Sequence, residues 1–271
     1  MKILKNFAVG VVIALATATP GFANTLLPPD ESFEGRSQEE LAVEFWQYVN
    51  SIPANQNPLF DLTGENAGVG QSGSLFFLVG VAAPVSPSGI VERAITVSED
   101  QSFFLPLIAS QFDPVQLPFL SIEQIEGVNE GLIDVAQNLF VTLDGVPFSG
   151  LETHRQSPEP FSYELVEGNT LGLPSQTVEE ADTDGFFAVL NALPAGEYTL
   201  TFGGELNLAQ VDFDDSLGIP TGFEDQIRQG QLLSQDITYQ ISVKPVPEPT
   251  SMLALLAVGL VGFATVSRSR G

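Results

Sequence analysis

The spacing of apolar and polar residues predicts two helices in the middle of the chain. Apolar residues recur at helical spacing after Ser37 and stop before Pro53, which predicts a helix over residues 38–50. Ser37 is followed three residues later by Glu40, the pattern of a capping box at the start of this helix. A second periodic segment predicts a helix over residues 121–138.

The rest of the central region is typical of β-strands. Short apolar or alternating segments are bounded by Gly, Pro and polar turns, and the Asp144-Gly145 pair predicts a hairpin turn. These features together predict a mainly β fold, an antiparallel β-sandwich with two accessory α-helices packed beside it. The predicted strands cover residues 74–79, 90–97, 103–109, 139–143, 146–148, 185–190, 197–202, 207–213 and 235–243.

The first residues have the layout of a secretory signal peptide. Lys2 and Lys5 precede an uncharged apolar run over residues 7–18, and a small residue, Ala23, stands where a signal peptidase would cut. We therefore expect residues 1–23 to form a signal helix that delivers the chain to the general secretion machinery and is then removed.

The last residues combine a short apolar run with a basic end. Residues 252–266 carry no charge, and Arg268 and Arg270 follow them directly. A membrane-spanning helix usually needs about 20 apolar residues, so a span here would be short and would need a thinner bilayer or snorkelling side chains. The basic end predicts a cytoplasmic C-terminus, with the body of the protein outside. A buried C-terminal core helix is the alternative.

The triplet Pro247-Glu248-Pro249 stands just before this apolar run. Triplet, apolar segment and terminal arginines, in that order, resemble the PEP-CTERM sorting signal. The resemblance implies that residues 247–271 are a sorting signal read by an exosortase-type membrane protease, in bacteria that build extracellular polysaccharide. An exported β-rich domain over residues 24–246 would then be held in the cytoplasmic membrane before it reaches the cell surface or the medium.

Most of the body is also similar to an exported bacterial family of unknown function. The similarity lies in Phe45-Trp46-Gln47, in Gly64-Glu65-Asn66 and in residues 193–204 and 236–243. It implies a single exported domain and assigns no activity, cofactor or catalytic residue.

Charge and composition exclude several functions. The body holds 33 acidic and 5 basic residues, a net charge of −28, so it is unsuited to nucleic acid or anionic lipid, whose phosphates need Lys and Arg. The chain has no cysteine, which excludes thiol catalysis and cysteine-ligated metals.

No catalytic residue is assigned, and we expect a protein that is not an enzyme. His154 is the one histidine, and the neighbouring Arg155 is expected to lower its pKa. A carbohydrate-active enzyme that uses two carboxylates is the alternative. Arg36, Arg93 and Arg155 are expected to form structural ion pairs.

Calcium is the one cofactor that the sequence suggests. Carboxylates stand close together in two predicted loops, and calcium prefers oxygen ligands. The first loop lacks the glutamate of a calcium-binding loop, because Leu193 occupies that position. The alternative interpretation is a pair of solvated turns. The candidate ligands are Asp182 and Asp184 in the first loop, and Asp212, Asp214 and Asp215 in the second.

The function that these features favour is an exported protein of structural or adhesive type, associated with extracellular polysaccharide. A calcium- or carbohydrate-binding module is the alternative of a different class. The scarcity of His, Trp and Cys favours structure over catalysis.

Overall fold

A computed structural model describes residues 25–82, 86, 88–230 and 232–246. The predicted signal helix over residues 1–23 and the predicted membrane helix over residues 252–266 lie outside them. The helices of the described residues are α1 Gln38–Asn50, α2 Ile122–Ile133 and α3 Thr221–Arg228. The strands are β1 Leu75–Phe77, β2 Ile90–Ser98, β3 Ser102–Phe112, β4 Ala136–Leu143, β5 Val146–Pro147, β6 Arg155–Gln156, β7 Phe161–Leu165, β8 Gln176–Leu190, β9 Gly196–Leu206 and β10 Leu233–Lys244.

The strands form two five-stranded sheets, so the mainly β prediction is confirmed. The first sheet has the order β1-β3-β8-β6, with β7 also paired to β8, and the second has the order β2-β10-β9-β4-β5. One hydrophobic core contains Leu105 and Leu190 of the first sheet together with Phe202 and Ile237 of the second. Two sheets that share a core are consistent with a β-sandwich.

The prediction of a purely antiparallel arrangement is wrong for two pairs of strands. Strand β1 runs parallel to β3, and β2 runs parallel to β10. The short turn after Ser98 carries the chain from one sheet to the other, so β2 and β3 do not form a hairpin. Strand direction depends on which distant strand becomes the neighbour, and the local apolar pattern carries no information about that choice.

Helix α1 has the predicted bounds, and its capping box is present. The Ser37 Oγ accepts a hydrogen bond from the Glu40 backbone N–H at 3.1 Å, and the Glu40 carboxylate accepts one from the Ser37 N–H at 2.7 Å. The apolar face of the helix packs on the outside of the first sheet, where Phe45 contacts Phe104 and Phe187. Phe45 is therefore part of a hydrophobic core on this side of the sheet.

Helix α2 is shorter than predicted, and the last predicted helical residues begin β4 instead. Asn138 adopts a left-handed backbone, with φ of 53°, at an irregularity in the pairing of β4 with β9. The inward face of α2, including Ile125 and Val128, joins the core between the sheets. A side chain at Gly131 would collide with Phe213, which explains a glycine inside this helix.

Further differences, including the unpredicted short strand β6, come from segments with ambiguous patterns. The strand predicted over residues 207–213 is a 3-10 helix at Leu208–Gln210 followed by irregular chain, although Val211 and Phe213 are buried. Strand β7 and helix α3 were not predicted.

The predicted hairpin is confirmed, with φ of 51° at Asp144 and 77° at Gly145. None of the helices in the described ranges combines the length and apolar character needed to cross a bilayer.

Candidate functional site

Two of the predicted metal ligands lie on a strand, and the prediction of a loop is wrong for them. Strand β8 begins at Gln176, well before Asp182 and Asp184, and pairs with β3 through both residues. Residues two apart on a strand point to the same side. Both carboxylates are buried, at 3% and 2% exposure. The apolar residues after Asp184 predicted only the C-terminal part of this strand, residues 185–190.

Asp182 lies beneath α2 and holds its proton unusually tightly. The Asn129 amide donates to its Oδ2 at 2.7 Å and to its backbone oxygen at 3.0 Å. Burial raises the pKa of Asp182 to about 6, repulsion by Glu126 and Asp184 adds to the rise, and the Asn129 hydrogen bond opposes it. A carboxyl group with this pKa exchanges its proton in the mildly acidic range.

Asp184 is neutralised by Arg155. The Arg155 Nη2 lies 2.6 Å from the Asp184 Oδ2 and its Nη1 lies 2.6 Å from Asp134, so the guanidinium bridges β8 and the C-terminal end of α2. Burial raises the pKa of Asp184 even though Arg155 acts in the opposite direction. The predicted structural ion pair of Arg155 is confirmed, as is that of Arg36, which pairs with Glu44 at 2.7 Å.

These groups line an open cleft of about 420 Å³ beside α2, which we call the acidic cleft. Burial raises the pKa of Glu126, and repulsion by nearby glutamates, including Glu159, acts in the same direction. The cleft therefore places several carboxylates around a single guanidinium. Its lining residues are Glu126, Glu130, Arg155, Ser157, Pro158, Glu159, Pro160, Asp182 and Asp184.

The second group of predicted ligands is not part of the acidic cleft. Asp212 is 88% exposed and pairs with Arg228 at 2.8 Å. Asp214 accepts a hydrogen bond from the Ser216 N–H at 2.8 Å. Hydrogen bonding by the Ser216 side chain, and then by this backbone N–H, lowers the pKa of Asp214. The adjacent Asp215 begins a short 3-10 helix. Asp212 and Asp214 line a second depression of about 440 Å³, which shares Glu126 and Glu130 of α2 with the acidic cleft.

The acidic side chains do not form a ready-made metal site. Within the ranges that the structure describes, no group of three or more His, Asp or Glu side chains is placed to hold a metal ion. The acidic cleft nevertheless brings together carboxylates that repel one another, and this repulsion helps to raise the pKa values of Asp182 and Glu126. Calcium binding stays a prediction.

His154 is buried beside the end of β6. Burial lowers the pKa of His154, so the predicted direction holds while the predicted cause, repulsion by Arg155, does not appear. Its Nδ1 has no hydrogen-bond partner in the described part of the chain, and its backbone oxygen accepts from the Phe187 N–H at 3.0 Å. No serine or threonine hydroxyl of that part is hydrogen-bonded to the ring.

Arg93 departs from the prediction of an ion pair, because its guanidinium binds backbone carbonyls inside the core. It is 1% exposed, and none of the described carboxylates lies within ion-pair distance. The burial of Arg93 could have been inferred from the sequence, because buried and exposed residues alternate along β2 and Arg93 stands in the buried series between Val91 and Ile95. Its acceptors are the backbone oxygens of Pro58, Asp61, Val79 and Gly80 and the Tyr239 hydroxyl.

The comparison with known families identifies a motif in the C-terminal tail. Residues 245–270 match the model of the PEP-CTERM protein-sorting motif, which confirms the resemblance of the C-terminal segment. The matched range contains Pro247, Glu248, Pro249, Arg268 and Arg270, all outside the described residues. No similar curated protein and no similar solved structure was found. The tail indicates an exported protein that is membrane-anchored before processing and is sorted through an exosortase, a membrane protease.

Proposed function

We propose that the protein is a non-enzymatic component of the cell surface or extracellular matrix, with a structural or adhesive role. The observation that supports this most is the PEP-CTERM match at residues 245–270, which begins directly after β10 ends at Lys244. A folded β-rich body is thus attached to a sorting tail with no linker domain between them. The strongly acidic body suits a soluble exported protein, because self-repulsion opposes aggregation.

The route follows from the two ends of the sequence. Residues 1–23 would direct the chain to the secretion machinery, and residues 252–266 would hold it in the cytoplasmic membrane with the body outside. Arg268 and Arg270 would remain in the cytoplasm. Processing by the exosortase-type protease would then release the body to the surface, where extracellular polysaccharide is the expected neighbour.

Fractionation of the host, with the intact mass of each fraction, tests this proposal. A tag inserted at Gly172, an exposed turn residue with positive φ, stays with the body when either end is removed. We expect a species that lacks both ends outside the membrane fraction. Glu248→Ala should retain the tail in the membrane, and Asp225→Ala, an exposed change on α3, is the control. An unprocessed tail in every fraction of the wild type would refute the sorting route.

A calcium- or carbohydrate-binding module is the second candidate, and the acidic cleft favours it. A divalent cation would relieve the repulsion that helps to raise the pKa values of Asp182 and Glu126. The side chains would need to rearrange, because they do not form a ligand set as they stand. Calorimetric titration with calcium, and melting curves with calcium against magnesium at equal ionic strength, test this candidate. No heat and no calcium-specific change in melting temperature would exclude the calcium-binding version of this candidate.

A further inference from the structure

Both ends of the described body emerge at the same end of the sandwich. Near the N-terminus, Thr25 accepts hydrogen bonds through its backbone oxygen from the Asn191 backbone N–H at 3.3 Å and side chain at 3.2 Å. At the other end, Lys244 finishes β10 and pairs with Ser98, the last residue of β2. The segments that would precede and follow the body therefore leave it in one region.

A short series of contacts joins these two exits. The Ala192 N–H donates to the Ser102 Oγ at 3.0 Å, and Ser102 is separated from Ser98 by a tight turn closed by the Gln101 N–H at 3.1 Å. We call this end, formed by residues 98–102, 191–195 and 244, the terminal pole. Strand β10 begins at Leu233, at the opposite end of the sheet, where α3 precedes it.

The tether between the terminal pole and the apolar run is short. The Val246 N–H donates to the Glu99 carboxylate at 3.1 Å, so the first residues of the sorting motif are still bound to the body. Only residues 247–251 separate Val246 from Met252. This stretch reaches roughly 20 Å at full extension. Strand β10, with 12 residues, is roughly 40 Å long. The tether is therefore too short for the body to turn its opposite end to the membrane.

The charge of the terminal pole fits a surface that stays clear of the lipid. Asp100 is exposed there and Glu99 is partly exposed, and the exposed Glu197 of β9 lies next to this pole. The one lysine of this pole, Lys244, lies 3.5 Å from Glu197. The net negative charge is repelled by anionic headgroups, over a range of about 10 Å at ordinary ionic strength.

We propose that the terminal pole is the surface that faces the lipid headgroups while the protein is anchored. The inference rests on the proposed function, since it requires the tail to hold the protein in a membrane. It adds the orientation of the body relative to the membrane.

Site-specific fluorescence quenching tests the orientation, and the absence of cysteine from the chain makes labelling selective. Full-length Asp100→Cys carries a probe at the terminal pole, and full-length Thr221→Cys carries it on α3, both at exposed positions. Each is reconstituted in phosphatidylcholine–phosphatidylglycerol vesicles that contain a headgroup quencher. We expect several-fold stronger quenching of the probe at position 100. Equal quenching, or stronger quenching at position 221, would overturn the proposal.

Two further measurements distinguish a failure of membrane anchoring from a failure of the proposed orientation. Co-sedimentation with the vesicles reports anchoring alone, so protein that stays in solution would overturn the membrane anchoring on which the proposed function rests. A long Gly-Ser spacer inserted between Val246 and Pro247 should reduce the difference between the two probes, because the body could then tumble. An unchanged difference would show that something other than the short tether orients the body. Circular dichroism of each variant establishes that it is folded.

Discussion

Arg93 and Tyr239 lie directly opposite each other on the parallel strands β2 and β10, and the Arg93 Nη1 donates a hydrogen bond to the Tyr239 hydroxyl at 2.8 Å. The Tyr239 hydroxyl in turn donates to the Val79 backbone oxygen at 2.9 Å. The pair therefore ties the second sheet to the chain that follows β1. The charge of Arg93 is compensated by carbonyl dipoles, which satisfy its donors inside the core.

Replacing Arg93 should be among the most destabilising single changes in the body. Arg93→Met removes a donor from four buried backbone carbonyls and leaves those of Asp61 and Gly80 without a partner among the described residues, which should lower the free energy of unfolding by about 3 to 5 kcal/mol. Denaturant unfolding measures the change. Arg36→Met, at a partly exposed ion pair, is the control and should cost about 1 kcal/mol or less. Equal losses in the two variants would show that the buried carbonyl contacts add nothing.

Tyr239→Phe tests how much the Tyr239 hydroxyl contributes to stability. It keeps the ring and removes only the hydroxyl, so we expect a loss of about 1 to 2 kcal/mol in unfolding free energy. Combined with Arg93→Met it should cost less than the sum of the two single changes, because both act on one hydrogen-bond network. Tyr198→Phe, whose hydroxyl donates to the Pro194 oxygen from a partly exposed site, is the matched control. Strict additivity would contradict the coupling.

Arg155 is expected to stabilise the body by neutralising a buried carboxylate. Arg155→Met leaves Asp184 buried and unpaired and should cost about 2 to 4 kcal/mol, a figure that allows for the partial exposure of the arginine. Adding Asp184→Asn should recover much of this loss, because the uncompensated charge is then gone. Arg228→Met removes an ion pair to exposed Asp212 and serves as the control. A double variant no more stable than Arg155→Met would refute the explanation.

Asp182 should make stability depend on pH in the acidic range. Its pKa in the folded state is about 6, above the ordinary value, so the folded protein binds this proton more tightly than the unfolded chain. Stability from this group is therefore greatest at low pH and is lost as pH rises from about 4 to about 6, by roughly 2 kcal/mol.

Asp182→Asn should remove that part of the pH dependence and keep the acceptor for Asn129. Melting curves from pH 4 to 7 for wild type and variant measure the difference. Other carboxylates also titrate in this range, so Asp225→Asn, at an exposed position, is the reference. A variant that loses as much stability over the interval as the wild type would contradict the role of Asp182.

The elements with strong local signals were predictable. Helix α1 follows its capping box, and the hairpin between β4 and β5 follows Asp144-Gly145, because both features act between neighbouring residues. The prediction of a strand around Val211 and Phe213 was wrong. Burial alternates along this segment, but the segment is irregular chain that packs against α2. In the candidate site, Asp182 and Asp184 could be named in advance. Their partners Asn129 and Arg155 could not be assigned, because they come from α2 and β6.

The sequence by itself determined that the chain carries a sorting tail, that the body is mainly β, and where its first helix begins and ends. These properties depend on composition and on residues a few positions apart. Tertiary structure alone decided that β2 and β10 run parallel, that carboxylates gather beside α2, and that both ends leave at one pole. Those features join distant residues, such as Arg93 and Tyr239, 146 positions apart. Their proximity comes from packing the sheets around one core, which no local pattern encodes.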